Sequence, residues 1–168
     1  MMKPERGFTI LEILVVVAVI SIIASTILLS TSFSSPGEGL KKHAVTLSKT
    51  LHLLMQEAIL QDRNYGVAIT PGAYKILEFN GEKFLPSEDK FIKKLGRQYA
   101  FEDELTIDKD IVKIEKTDEP QPQILILASG EMTVFQWDIL DHDNDLRVRL
   151  NSDLLGKITM QGPAESLP

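Results

Sequence analysis

The sequence predicts an α+β chain: a long N-terminal helix, membrane-spanning in its first half and amphipathic in its second, packed on antiparallel β-sheet made of short strands. Three observations predict it. From Phe8 to Ser30 the chain is apolar apart from small hydroxyl residues and one charge, Glu12. From Leu40 to about Asp62 apolar residues recur at steps of four and three. From Asn64 onward the period falls to two, and short β-prone runs are separated by Pro-Gly, Asn-Gly and Ser-Gly.

The first run holds roughly twenty residues, which at about 1.5 Å each match the hydrocarbon thickness of a bilayer. A secretory signal peptide has a shorter apolar core, about 7–15 residues, ending in a small-residue cleavage site. A carboxylate inside such a run costs about 2.5–3.5 kcal/mol on insertion scales, so Glu12 needs a partner or a purpose. The hydroxyl-rich stretch from Ser30, with Pro36, Gly37 and Gly39, disfavours helix continuation and predicts a membrane exit and hinge over 31–39. The remainder, 40–168, is long enough for one globular domain.

Within that domain Leu40, Ala44, Leu47, Leu51, Leu54 and Ala58 form the stripe of an amphipathic helix, with Met55 and Ile59 widening it. Lys41, Lys42, Lys49, His52 and Gln56 lie opposite. Fewer than four heptads, followed by strands, favour packing on the domain's own sheet over a coiled coil. Tyr65–Ile69 and Tyr74–Phe79 flank Pro71-Gly72, and Asn80-Gly81 before Glu82–Leu85 predicts a second hairpin. Ser87–Phe101 reads as a loop with room for one short strand. Leu105–Ile107 and Val112–Glu115 alternate as half-exposed strands, and Thr117–Gln123 is a polar link. Gln123–Ala128, apolar on both faces, predicts a central strand, turning at Ser129-Gly130 into an antiparallel partner, Met132–Ile139. Leu146–Leu150 alternates, Ile158–Met160 reads as an edge strand, and Gly162–Pro168 is expected to fray.

The 168 residues carry 18 basic and 24 acidic groups, a net charge of −6. Such a chain is a poor non-specific ligand for nucleic acid. Without cysteine it has no disulfide, thiolate nucleophile or Cys-based metal site. Lys3 and Arg6 precede the apolar run and the next basic residue is Lys41, so the positive-inside rule keeps the N-terminus cytoplasmic and sends the rest across the membrane.

Basic residues ending at Gly7, then Phe8, a glutamate five residues on at Glu12, and Ile13–Ile20 resemble the leader of type IV pilins and the pseudopilins of type II secretion. The resemblance implies a pilin-like fold and a division into a leader peptide, 1–7, a transmembrane and filament-core helix, 8–30, and a periplasmic domain. It further implies that a prepilin peptidase of the inner membrane cuts between Gly7 and Phe8 and methylates the Phe8 amine. Loss of Lys3, Arg6 and Glu5 would leave sixteen basic against twenty-three acidic residues, −7. Cleavage would create a cation, the Phe8 amine, that could sit beside Glu12 of a neighbouring subunit, contributing register more than stability. The alternative is a Glu12 close enough to the head groups to stay hydrated.

Gln56–Leu60 and the segment Pro122-Gln123-Ile124 through Ser129-Gly130-Glu131 are similar to the H-type minor pseudopilins, a group that includes minor pilins of type IV systems. The resemblance implies a structural subunit near the tip of a periplasmic filament, other pseudopilins as partners, inner-membrane lipid around the helix, and no enzymatic activity or cofactor. The alternative within that resemblance is a type IV minor pilin serving pilus assembly, adhesion or DNA uptake.

Other candidates read as structure. Asp141, Asp143 and Asp145, with His142 and Asn144 between them, lack the glycine and terminal glutamate of a calcium loop and read as a solvated hairpin tip. His43 and His52 have no cysteine or paired carboxylates at ligand spacing. Ser129-Gly130 sits in no nucleophile elbow, and no phosphate loop is present. Trp137 and Phe135 read as core, and Arg147 with Arg149 as partners of cross-strand acids.

Overall fold

A computed structural model describes residues 10–30 and 37–165, with side chains for 10–21 and 37–163. The chain forms two compact units, divided between Ser35 and Pro36. The first contains helix α1, Ile10–Ser30.

The second unit begins with α2, Glu38–Gln61, entered from Gly37 in the left-handed region and left at Asp62, also left-handed. Glu38 and Gly39 therefore belong to the helix and not to the hinge, whose residues 31–36 lie outside the described residues. The six stripe residues Leu40, Ala44, Leu47, Leu51, Leu54 and Ala58 are fully buried. Met55 packs against the same core, but Ile59 is exposed.

Two antiparallel sheets share this helix. The first comprises β1 (Tyr65–Thr70), β2 (Ala73–Phe79), β3 (Phe84–Pro86), β4 (Arg97–Gln98) and β7 (Ile124–Ile126), in the order β3-β2-β1-β7 with β4 also on β2. The second comprises β5 (Glu102–Ile107), β6 (Asp110–Val112), β8 (Phe135–Asp141), β9 (Leu146–Ser152) and β10 (Ile158–Glu165), in the order β10-β9-β8-β5-β6. One cluster joins the α2 stripe to Val67, Ile69 and Ile124 of the first sheet and to Leu105, Trp137, Ile139, Val148 and Leu150 of the second. The helix thus closes the domain on its own sheets, as expected of a stripe too short for a coiled coil.

Several local expectations are corrected. Asn80-Gly81 is not a two-residue turn. Phe79 faces Phe84 across a four-residue loop, in which Asn80 Oδ1 accepts from the amides of Glu82 (3.0 Å) and Lys83 (2.9 Å). Between Ser87 and Phe101 lies α3, Lys90–Lys93, whose first amides are capped by Asp89. The strand expected at Val112–Glu115 is β6, Asp110–Val112, because Asp108 and Lys109 both take positive φ and make a tight turn out of β5.

The run Gln123–Ala128 is not a central strand. β7 is three residues long, lies at the sheet edge, and leaves Leu125 36% exposed. Pro120 and Pro122 shorten it by removing donors. Gln123 extends the ladder with both backbone and side chain: its amide donates to Val67 O at 3.0 Å, while its side chain accepts from Ile69 N at 2.7 Å and donates to Ile69 O at 3.2 Å. The approach is tight: a Cβ on Gly66 would come within 2.4 Å of Pro122 Cβ. Met132–Ile139 is likewise split, since Met132 bridges to Ile126 in the first sheet and Phe135 begins β8 in the second. At the C-terminus β10 pairs with β9 as far as Glu165, past an irregularity between Gln161 and Ala164, so fraying does not begin at Gly162.

Candidate functional site

Helix α1 carries the residues with the most specific sequence pattern. Every side chain from Ile10 to Ser21 is exposed, including Ile10 (87%) and Leu11 (73%), and Glu12 lies in the first turn. A face this apolar on all sides needs a cover from lipid or from other helices. Among the described residues no helix is long and apolar enough to cross a membrane. Gly7 and Phe8 lie outside the described residues.

The globular unit contains a polar cluster that sequence reasoning did not single out. Asp103 accepts from Tyr99 Oη (2.6 Å) and from Trp137 Nε1 (2.8 Å). Burial pushes its carboxyl up to about 6 against the pull of those two bonds, with Glu102 adding to the rise. Burial and the neighbouring Asp103 raise the Tyr99 phenol as well. The Tyr99 ring lies 4.2 Å from that of His43 on α2, which burial, then Arg97, holds down to about 4. The available signal was the alternation Phe101, Asp103, Leu105, which puts a carboxylate on the strand face that carries apolar residues.

Asp103 and His43 titrate in opposite senses. An acid raised from 3.8 to about 6 binds its proton more tightly when folded, so its contribution to stability grows as pH falls through that window. A histidine lowered from 6.5 to about 4 contributes fully above 6.5 and loses that contribution as pH falls toward 4. Relative to the unmodified chain, Asp103→Asn should lose more stability between pH 6.5 and 4.5, and His43→Phe should lose less. Urea midpoints at the two pH values check this, and shifts of the same sign in both variants would refute it.

The other candidates fall where structure accounts for them. The tip of the β8–β9 hairpin holds His142 and the acids, with Asn144 donating to Asp141 (2.9 Å) and His142 Nε2 2.9 Å from Glu102. No group of three metal-ligating side chains occurs among the described residues. His52 Nδ1 is 3.0 Å from Ser48 O one turn back on α2. Gly130 takes φ +86° in the turn after β7. Arg149 donates to both Asp138 oxygens, at 2.7 and 2.9 Å, from the strand next to it. Trp137 and Phe135 are buried in the core.

Residues 2–28 match the prokaryotic N-terminal methylation motif. A type II secretion system protein H of Pseudomonas aeruginosa is 32% identical over 90% of this chain and 93% of its own length. The chain belongs to the type II secretion system protein H family. A second protein H, from Vibrio cholerae, is 30% identical over 98% of both chains. The minor pseudopilin EpsH from the type 2 secretion system of Vibrio cholerae superposes with a TM-score of 0.60 at 25% identity, covering 75% of this chain and 97% of that one. Membership of the protein H family favours a minor pseudopilin of type II secretion over a type IV minor pilin. The α2-on-two-sheets architecture is the pilin-like one that the N-terminal pattern implied.

Proposed function

We propose that this chain is a non-enzymatic structural subunit near the tip of the type II secretion pseudopilus, supporting export of folded proteins across the outer membrane. The observation that carries it is α1, apolar on every described side with one carboxylate in its first turn. The same helix serves two solvents in turn. It first holds the chain in the inner membrane as a single pass, N-terminus cytoplasmic and globular unit periplasmic. It then packs among the helices of other major and minor pseudopilins, where van der Waals fit and small residues hold helices together.

Processing converts the first state to the second. The prepilin peptidase cuts between Gly7 and Phe8 and methylates the Phe8 amine, and that amine meets Glu12 of a neighbour. A buried carboxylate–ammonium pair gains little net stability after desolvation, but a mismatch leaves a charge uncompensated, so the pair selects register. No cofactor or nucleic acid takes part, in keeping with the acidic net charge of −6.

Intact-mass measurement of the chain recovered from cells with an active leader peptidase tests the reading. The expected product lacks Met1 through Gly7 and begins at N-methylated Phe8. A mature chain that retains the leader would overturn the assignment.

A further inference from the structure

β2 shares its outer edge between two short strands. β3 pairs with Leu77–Phe79 and β4 with Ala73–Tyr74, so Lys75 and Ile76 have no strand partner on that side. Which backbone groups face the gap follows from the ladder. Phe79 N–H bonds to Asn64 O at 3.0 Å, on the β1 side. Alternate residues of an antiparallel strand direct their amides and carbonyls to alternate sides, so Leu77, Lys75 and Ala73 also turn theirs toward β1. Tyr74, Ile76 and Glu78 turn theirs the other way. Tyr74 meets Arg97 and Glu78 meets Leu85, which leaves the Ile76 amide and carbonyl facing the gap.

The gap is a cleft of about 280 Å³ with Ile76 and Pro86 among its apolar lining and Lys75, Lys93 and Arg97 around it. Gly96 keeps one wall close, since a Cβ there would come within 3.0 Å of Tyr74 O. No carboxylate lines the cleft, and none of the ion pairs among the described residues uses its three exposed cations. In a chain of net charge −6, three unpaired like charges around an open strand edge are a local reversal of sign.

We propose that this cleft docks an extended acidic segment of a partner protein. The segment crosses the gap between β3 and β4, where the backbone of one of its residues pairs with the Ile76 amide and carbonyl. Carboxylates at alternate positions of an extended peptide reach Arg97 and the two lysines, where charge-assisted hydrogen bonds supply most of the affinity. Only one backbone rung is on offer, so binding is dominated by charge and weakens steeply with salt. This surface belongs to the globular unit and does not depend on the filament role.

The test is a fluorescence-anisotropy titration of a labelled ten-residue peptide alternating glutamate and valine, against the full chain in neutral detergent. Saturable binding is expected, weakened at least about tenfold by K93E/R97E and less by K93A/R97A. Circular dichroism of both variants confirms the fold, as both residues are exposed. In the isotope-labelled chain the Ile76 amide resonance should move on titration. Absence of saturable binding, equal affinity in the charge-reversed variant, equal binding of a lysine–valine peptide, or an unmoved Ile76 amide would each overturn the proposal. Binding to phosphatidylglycerol vesicles without binding to the peptide would overturn it in favour of a lipid surface.

Discussion

A chain carrying Glu12→Leu should still insert in the membrane and lose its leader, yet enter pseudopili at least about tenfold less often than the unmodified chain. The substitution removes a cost of about 2.5–3.5 kcal/mol from insertion, so anchoring is unimpaired or improved. Assembly is where the loss falls. In the proposed pair, loss of Glu12 would leave the Phe8 amine of a neighbour without its carboxylate, and breaking one side of a buried pair costs about 3–5 kcal/mol. At about 1.4 kcal/mol per factor of ten, even a partly hydrated pair gives a tenfold effect. Glu12→Gln separates charge from shape, because it keeps side-chain length without the carboxylate, and it should fail nearly as badly. Cysteine crosslinking of assembled filaments, scored beside membrane fractionation, measures both quantities. Normal incorporation of Glu12→Leu would refute the register role.

The second large effect belongs to the globular unit. Trp137→Ala should destabilise it by about 3–5 kcal/mol through the cavity alone. Trp137 is fully buried, edge-on to Tyr74 and Phe135 at 6.3 Å each, and it donates one of the two bonds that satisfy Asp103. Leaving that buried carboxylate short of a donor costs about 1–3 kcal/mol more. Against a total of about 5–15 kcal/mol for a domain, that loss is a large fraction of the stability. Trp137→Phe keeps most of the ring packing and loses the donor, so it should cost less, and its deficit should shrink in an Asp103→Asn background. Urea unfolding followed by far-ultraviolet circular dichroism distinguishes the cases. A loss below about 1 kcal/mol for Trp137→Ala would remove Trp137 from the centre of the core.

Legibility tracked the range of the interactions. The α2 stripe was readable residue by residue because a helix repeats every 3.6 residues within one segment, and all six predicted positions are fully buried. β1 and β2 were readable for the same local reason, a period of two with Pro71-Gly72 between them. The pairing of Arg149 with an acid on the next strand followed from hairpin proximity. The failures involve distant segments. Gln123–Ala128 carries the apolar content of a central strand, yet its position depends on Pro122 seating against Gly66, over fifty residues earlier. Asp89 capping α3 had a local signal, a cap residue before Phe91-Ile92, but the four-residue helix is too short for periodicity to show.

The amino-acid sequence by itself determined the family pattern at the N-terminus, the helix that carries Glu12, and the stripe that closes the domain, since each is written in consecutive residues. Tertiary structure alone decided that Asp103 sits between Tyr99 and Trp137, that β7 ends a sheet, and that Lys75, Lys93 and Arg97 surround an open strand edge. The physical reason is that burial and strand pairing are properties of segments brought together from far apart, and no periodicity within one segment records which partner it will meet.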